Sequence, residues 1–142
     1  MQIGLIGFGV ISKYYLAALN TRQDAILGAV CDIDPAKGAS LDDKSIFFTT
    51  DYRELVSRED ISGVIVNVPN HLHYEICRSA LEAGRHICCE KPLTISYSDA
   101  VRLAELATAR GRILSYKAEA LGKRVVHQDP RYTSQKCNIC KH

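Results

Sequence analysis

The first twenty residues constrain this chain more than any other segment. Gln2–Ile6 is a short apolar run, Gly7-Phe8-Gly9-Val10-Ile11-Ser12 follows it, and apolar residues recur at helical spacing from Val10 to Asn20. An apolar run that ends at glycines and hands over to a helical period reads as a buried strand, a tight loop and a helix. In the spacing G-x-G-x-x-S each position has a physical task. The first glycine makes the turn. The second keeps the backbone bare, so that an anionic group can come close. The third position packs helix against strand, and Ser12 is small enough for it. The helix end that follows offers N–H groups and a partial positive charge, the requirements of a diphosphate cradle.

A second feature fits the same chemistry. Ala25–Cys31 is another apolar run, and Asp32 ends it 25 residues after Gly7. A carboxylate about 20 residues beyond the first glycine suits the hydroxyls of an adenosine ribose. It would repel a 2′-phosphate, so the expected cofactor is NAD rather than NADP.

The rest of the chain up to Leu114 alternates strand and helix signals. Asp34-Pro35 opens a short helix through proline at its first turn. Ile46–Phe48 is a brief strand, and Thr50 and Asp51 can cap a helix running to about Ser57. Ile61–Val68 is β-branched and apolar on both faces, the pattern of a central strand in a parallel sheet. Pro69-Asn70 breaks it. His71–Ala83 follows as a helix closed by Gly84, and His86–Cys89 is the next strand. Ser96 or Ser98 caps a long apolar-striped helix that ends near Gly111. Alternation of this kind predicts an α/β fold, a doubly wound parallel sheet of the Rossmann type over residues 1–114, followed by a short irregular C-terminal tail over 115–142.

Bulk properties narrow the function classes. The 46% hydrophobic content supports a real core, and a net charge of +2 gives no electrostatic reason to invoke nucleic acid or an anionic membrane. No apolar run approaches the roughly 18 residues of a membrane span. The N-terminus reads as a strand rather than a signal peptide, and the expected location is cytoplasmic. Cys31, Cys77, Cys88 and Cys89 lie in apolar segments and read as small buried hydrophobes in a reducing compartment.

Several stretches then point to a family. GLIGFGVIS, VCDIDP, VIVNVPNHLHYEICRSALEAGRHICCEKPL and the helix to Gly111 resemble the Gfo/Idh/MocA oxidoreductases, named for glucose–fructose oxidoreductase and inositol dehydrogenase. The most specific parts are Pro69-Asn70 with His73 and the triplet Glu90-Lys91-Pro92. The resemblance implies hydride transfer between a nicotinamide cofactor and a sugar, polyol or related small molecule. It implies that Val68, Pro69 and Asn70 pass beside the cofactor, and that Lys91, next to Glu90, lies near nicotinamide and substrate as the candidate catalytic residue. The cofactor set is then Gly7, Phe8, Gly9, Val10, Ile11, Asp32, Val68, Pro69, Asn70, Glu90 and Lys91. For His73 the expected role is a plain helix N-terminal histidine. The family carries its substrate domain after the position of Leu114. The expectation is therefore a truncated chain, inactive alone, that acts on a small-molecule substrate only when a second domain is supplied. It would self-associate through apolar surface left near residues 98–110.

Residues 114–142 resemble another group, the zinc-ribbon region of insertion-sequence transposases related to RNA-guided nucleases. The matching features are Tyr116-Lys117-Ala118-Glu119 (read as a helical scrap to Gly122), the basic strand Lys123–His127, the Asp129-Pro130-Arg131-Tyr132 turn and the Cys137-x-x-Cys140 knuckle. A zinc ribbon takes four ligands, usually two such pairs. Cys137 and Cys140 make half a site, so no structural zinc is expected within one chain. The simplest reading is a chimeric frame. The alternative is a transposase-derived, nucleic-acid-associated protein.

Overall fold

The computed structural model describes residues 1–116; the tail, with Cys137 and Cys140, lies outside the described residues. Six strands form one sheet: β1 (Gln2–Ile6), β2 (Ile26–Cys31), β3 (Phe47–Thr49), β4 (Ile61–Val66), β5 (His86–Cys89) and β6 (Leu114–Tyr116). All neighbours are parallel, in the order β3-β2-β1-β4-β5-β6. The connections are α1 (Ser12–Asn20), α2 (Ala36–Ala39), α3 (Tyr52–Ser57), α4 (His73–Glu82) and α5 (Tyr97–Ala109), with a short 3-10 turn at Asn70–Leu72 before α4.

Successive residues of one strand feed opposite faces of the sheet. Ile6, Ala29, Val64, Val66 and Cys89 pack with Leu55 and Val56 of α3, Ile76 and Leu81 of α4 and Leu103 of α5. Their neighbours Leu5, Val30 and Ile65 pack with Tyr15 of α1, supported by Leu16 and Leu19. The sheet is therefore wound on both faces, as the apolar-on-both-sides reading of Ile61–Val68 requires. Leu5, Leu55, Leu81 and Leu103 are fully buried, and each such side chain contributes on the order of 1.5–3 kcal/mol.

Local chemistry sets the element ends. Asp51 caps α3, its carboxylate accepting from the Arg53 N–H at 2.9 Å. Gly84, at φ +77°, ends α4 in a Schellman motif: the Arg85 N–H reaches Ala80 O and the Gly84 N–H reaches Leu81 O, both at 2.9 Å. The Arg85 guanidinium then binds the carbonyls of Val56 and Ile61, each at 2.9 Å, and ties this corner to the start of β4.

Several boundaries move from the sequence reading. Val10 and Ile11 belong to the turn, so α1 starts at Ser12 rather than Val10. β4 ends at Val66; Asn67 follows it, its N–H on Ile6 O and its side-chain amide on Gly7 O of the β1 loop. The helix read from His71 opens as a 3-10 turn and becomes α-helical at His73. Ser96 occupies the N-cap of α5 without a side-chain cap bond; its hydroxyl meets Ser98 Oγ at 2.7 Å. The sheet continues past Leu114. Leu114–Tyr116 pairs with Ile87–Cys89 as the edge strand β6, so Tyr116 lies in a strand and not in a helical scrap.

Candidate functional site

The strand order reverses between β1 and β4, because β1 leads outward to β2 while β4 leads to β5 on the other side. Ligands of open α/β sheets bind at the carboxyl ends of the strands at such a point. The structure brings the loops after β1, β2, β4 and β5 to that end.

The β1 loop is fixed by its neighbours. The Gly7 N–H donates to Cys31 O at 2.8 Å, the Asn67 N–H to Ile6 O at 2.8 Å, and Asn67 Nδ2 to Gly7 O at 3.2 Å. Gly7 adopts φ +92°, and a Cβ there would stand 2.1 Å from Asn67 O. Glycine is required at this position by both conformation and space. At Gly9 the reverse holds: a Cβ would meet nothing within 4 Å. The exposed backbone at Gly9 thus faces open room, as a phosphate cradle needs. Ser12, 5% exposed, turns its hydroxyl back onto Gly9 O and fills the position between helix and strand. The first turn of α1 carries no acidic side chain to compete for its N–H groups.

Asp32 stands beside this loop. Its Oδ2 accepts from the Phe8 N–H at 2.7 Å and its Oδ1 from the Asp34 N–H at 3.0 Å. The two backbone bonds hold the carboxylate rigidly against the glycine loop. Each oxygen keeps a further lone pair for a hydroxyl. Around this rim Val10, Ile11 and Ile33 are exposed, Ile33 to 90%.

The loops after β4 and β5 complete the edge. Pro69, Asn70 and Lys91 are exposed and Val68 is half-buried, while Glu90 is buried. Tyr15 of α1 donates its hydroxyl to Glu90 Oε1 at 2.7 Å, and the Lys91 N–H reaches Glu90 Oε2 at 3.3 Å. Burial and this carboxylate push the Tyr15 phenol well above its ordinary pKa. The Lys91–Pro92 peptide is cis. His73, fully buried, spans the two loops: Nδ1 lies 2.7 Å from Pro92 O and Nε2 2.8 Å from Val68 O.

All eleven residues read as cofactor-binding from the sequence thus fall on three neighbouring loops and Asp32. Three further residues that hold these loops were not singled out for that role in the sequence. Tyr15 read as an ordinary helix position, and 75 residues separate it from Glu90. Asn67 read as part of a strand. His73 read as a plain helix start, whereas it bridges two loops; the signal was its place beside Pro69-Asn70. Of the cysteines, Cys31, Cys77 and Cys89 are buried as expected and Cys88 is half-buried.

Sheet order, glycine loop and strand-end carboxylate together define a domain of the Rossmann class. The chain belongs to the Gfo/Idh/MocA oxidoreductase family: residues 1–118 match the family model described as an oxidoreductase family with an NAD-binding Rossmann fold. Among relatives, an inositol 2-dehydrogenase/D-chiro-inositol 3-dehydrogenase of Lactiplantibacillus plantarum is 34% identical over 115 residues, covering 78% of this chain and 33% of that protein. The D-glucoside 3-dehydrogenase of Escherichia coli is 33% identical over 121 residues, covering 82% and 34%. A crystal structure of a 3-ketoreductase from Actinomadura kijaniata, in complex with NADP, superposes with a TM-score of 0.77 at 29% identity, covering 82% of this chain and 37% of that one. The chain therefore spans about a third of the length of the curated relatives it matches. A second family model, the Cas12f1-like TNB domain, matches weakly over residues 111–142. Among the described residues, no helix is long and apolar enough to cross a membrane.

Proposed function

We propose that residues 1–116 bind NAD(H), with the diphosphate over Gly7–Ser12, the adenosine ribose on Asp32, and the nicotinamide toward Val68–Asn70 and Lys91. The observation that carries this reading is the pairing of an open, Cβ-free backbone at Gly9 with a carboxylate pinned beside it by the Phe8 and Asp34 amides. The preference for NAD over NADP rests on that carboxylate, which would face a 2′-phosphate with like charge. Bound nicotinamide would supply hydride chemistry. Lys91 would then offer its ammonium to a substrate oxygen, its backbone set by Glu90 and Tyr15. The relatives' names suggest a polyol or sugar as substrate class. Turnover needs a second surface to hold that substrate over the cofactor and to keep water out.

Isothermal titration tests the cofactor claim. Asp32→Ala is expected to weaken NADH binding about 10- to 100-fold, the loss of one or two hydrogen bonds to a charged group. NADPH binding should be unchanged or tighter. If the folded chain binds neither dinucleotide, the reading fails. On the same reading, Cys137 and Cys140 make half a zinc knuckle in a transposase-like tail that follows the dinucleotide domain.

A further inference from the structure

The histidine bridge between the two inner loops has a consequence beyond cofactor contact. We propose that His73 is a positioning residue of the dinucleotide site: as an imidazolium it fastens the loop after β4 to the loop after β5. In this way it holds Val68–Asn70 and Glu90–Pro92 in one arrangement. The proposal rests on the reading that these loops receive NAD(H).

The geometry fixes the charge. Both partners, Val68 O and Pro92 O, are carbonyl oxygens and can only accept. A neutral imidazole has one N–H and one bare lone pair. At 2.7 and 2.8 Å from two carbonyls, a neutral ring would press that lone pair against an oxygen. The protonated ring donates at both ends and needs no other partner for its hydrogens. It lies where β4 and β5 run out in register, Val66 opposite Cys89, so a bond to each following loop closes the gap between two adjacent strand ends.

Polar groups that face the ring include these two carbonyls and the Cys89 sulfur of β5, with Cys77 of α4 behind Cys89. Glu90 and Lys91 share the β5 loop, and Glu90 is turned to Tyr15 of α1. The Cys77 contact and burial push the Cys89 thiol up, so it stays protonated. The Cys89 sulfur lying against the ring and the two carbonyls that accept from it outweigh desolvation at His73 and push its pKa up to about 9. The clasp is therefore closed at neutral pH and opens above it.

Two measurements on the full chain decide the matter. In a histidine-ring 1H–15N correlation spectrum at pH 7.5, both ring nitrogens of His73 should carry protons. Raising the pH through about 9 should remove one, and the amide signals of Val68, Asn70, Lys91 and Leu93 should shift with the same midpoint. Over the same range the NADH dissociation constant, read by nicotinamide fluorescence, should rise about tenfold, as expected for one lost charged hydrogen bond. His73→Gln should bind about tenfold more weakly at pH 7.5 and show no such step. A ring with one proton at pH 7.5 overturns the proposal. So do loop amides that ignore the ring's titration, and an unchanged step in His73→Gln. The spectra use the unaltered chain and decide the question even if the variant does not fold. If NADH binds at no pH while ring and amides behave as expected, the cofactor reading alone falls and the fastening stands.

Discussion

Gly7→Ala is expected to cost at least about 3 kcal/mol of stability and to abolish dinucleotide binding. A residue with a side chain at φ +92° sits in a region that costs on the order of 1–3 kcal/mol by itself. The added Cβ would also lie 2.1 Å from Asn67 O and 2.7 Å from Asn67 C. Both are backbone atoms, so no rotamer change relieves the clash. Relief requires the ends of β1 and β4 to part, with loss of the Asn67 bonds to Ile6 O and Gly7 O. A domain of this size has roughly 5–15 kcal/mol in total, so the change removes a large share. Gly9→Ala is the informative control. Its Cβ enters open space, so stability should change by less than about 1 kcal/mol, while the added methyl occupies the room proposed for the diphosphate. Urea unfolding paired with NADH titration separates the two. Equal stability loss at both positions would show that the loop is only a turn, and unimpaired NADH binding by Gly9→Ala would remove the diphosphate from it.

The contrast between these glycines bears on what a sequence can disclose. The G-x-G-x-x-S spacing marked both positions, because strand, loop and helix are consecutive and their periods are visible locally. The two faces of β4 were legible for the same reason. The steric clash that admits only glycine at Gly7 was not legible. The Gly7 requirement comes from Asn67, 60 residues away, which read as the continuation of a strand. Tyr15 and Glu90 meet only because the fold brings α1 to the loop after β5, and no period in either segment records that meeting. The edge strand Leu114–Tyr116 is three residues long, too short for a β pattern, and it is defined by pairing to Ile87–Cys89 alone. His73 shows the deeper limit. A histidine at a helix start is common, and its role here comes from two carbonyls presented by loops 5 and 19 residues distant.

That same histidine should dominate the pH dependence of stability above neutrality. Its pKa rises from an ordinary 6.5 to about 9 on folding, so between those values the folded chain holds a proton that the unfolded chain has released. Wherever the native state binds more protons, stability falls as pH rises. The stabilisation is therefore complete below about pH 6.5 and is lost progressively up to about pH 9. One pKa unit is ~1.4 kcal/mol, so the full loss is roughly 3 kcal/mol. Other groups act outside this window. Hydrogen bonding to arginine at Asp24 and Asp60, and to Ser45 at Asp43, lowers their carboxyl pKa values, so they matter only in acid. Burial pushes Cys31 up to about 11 and Tyr52 up to about 12, so their losses begin higher. Urea unfolding at intervals from pH 6 to pH 9 should show the free energy declining by roughly 3 kcal/mol in the natural chain. In His73→Gln it should start lower and stay flat, because the glutamine amide can donate to one loop carbonyl but has no proton to lose there. A flat profile in the natural chain would place a neutral imidazole at His73. A decline that persists in the variant would assign the titration to another group.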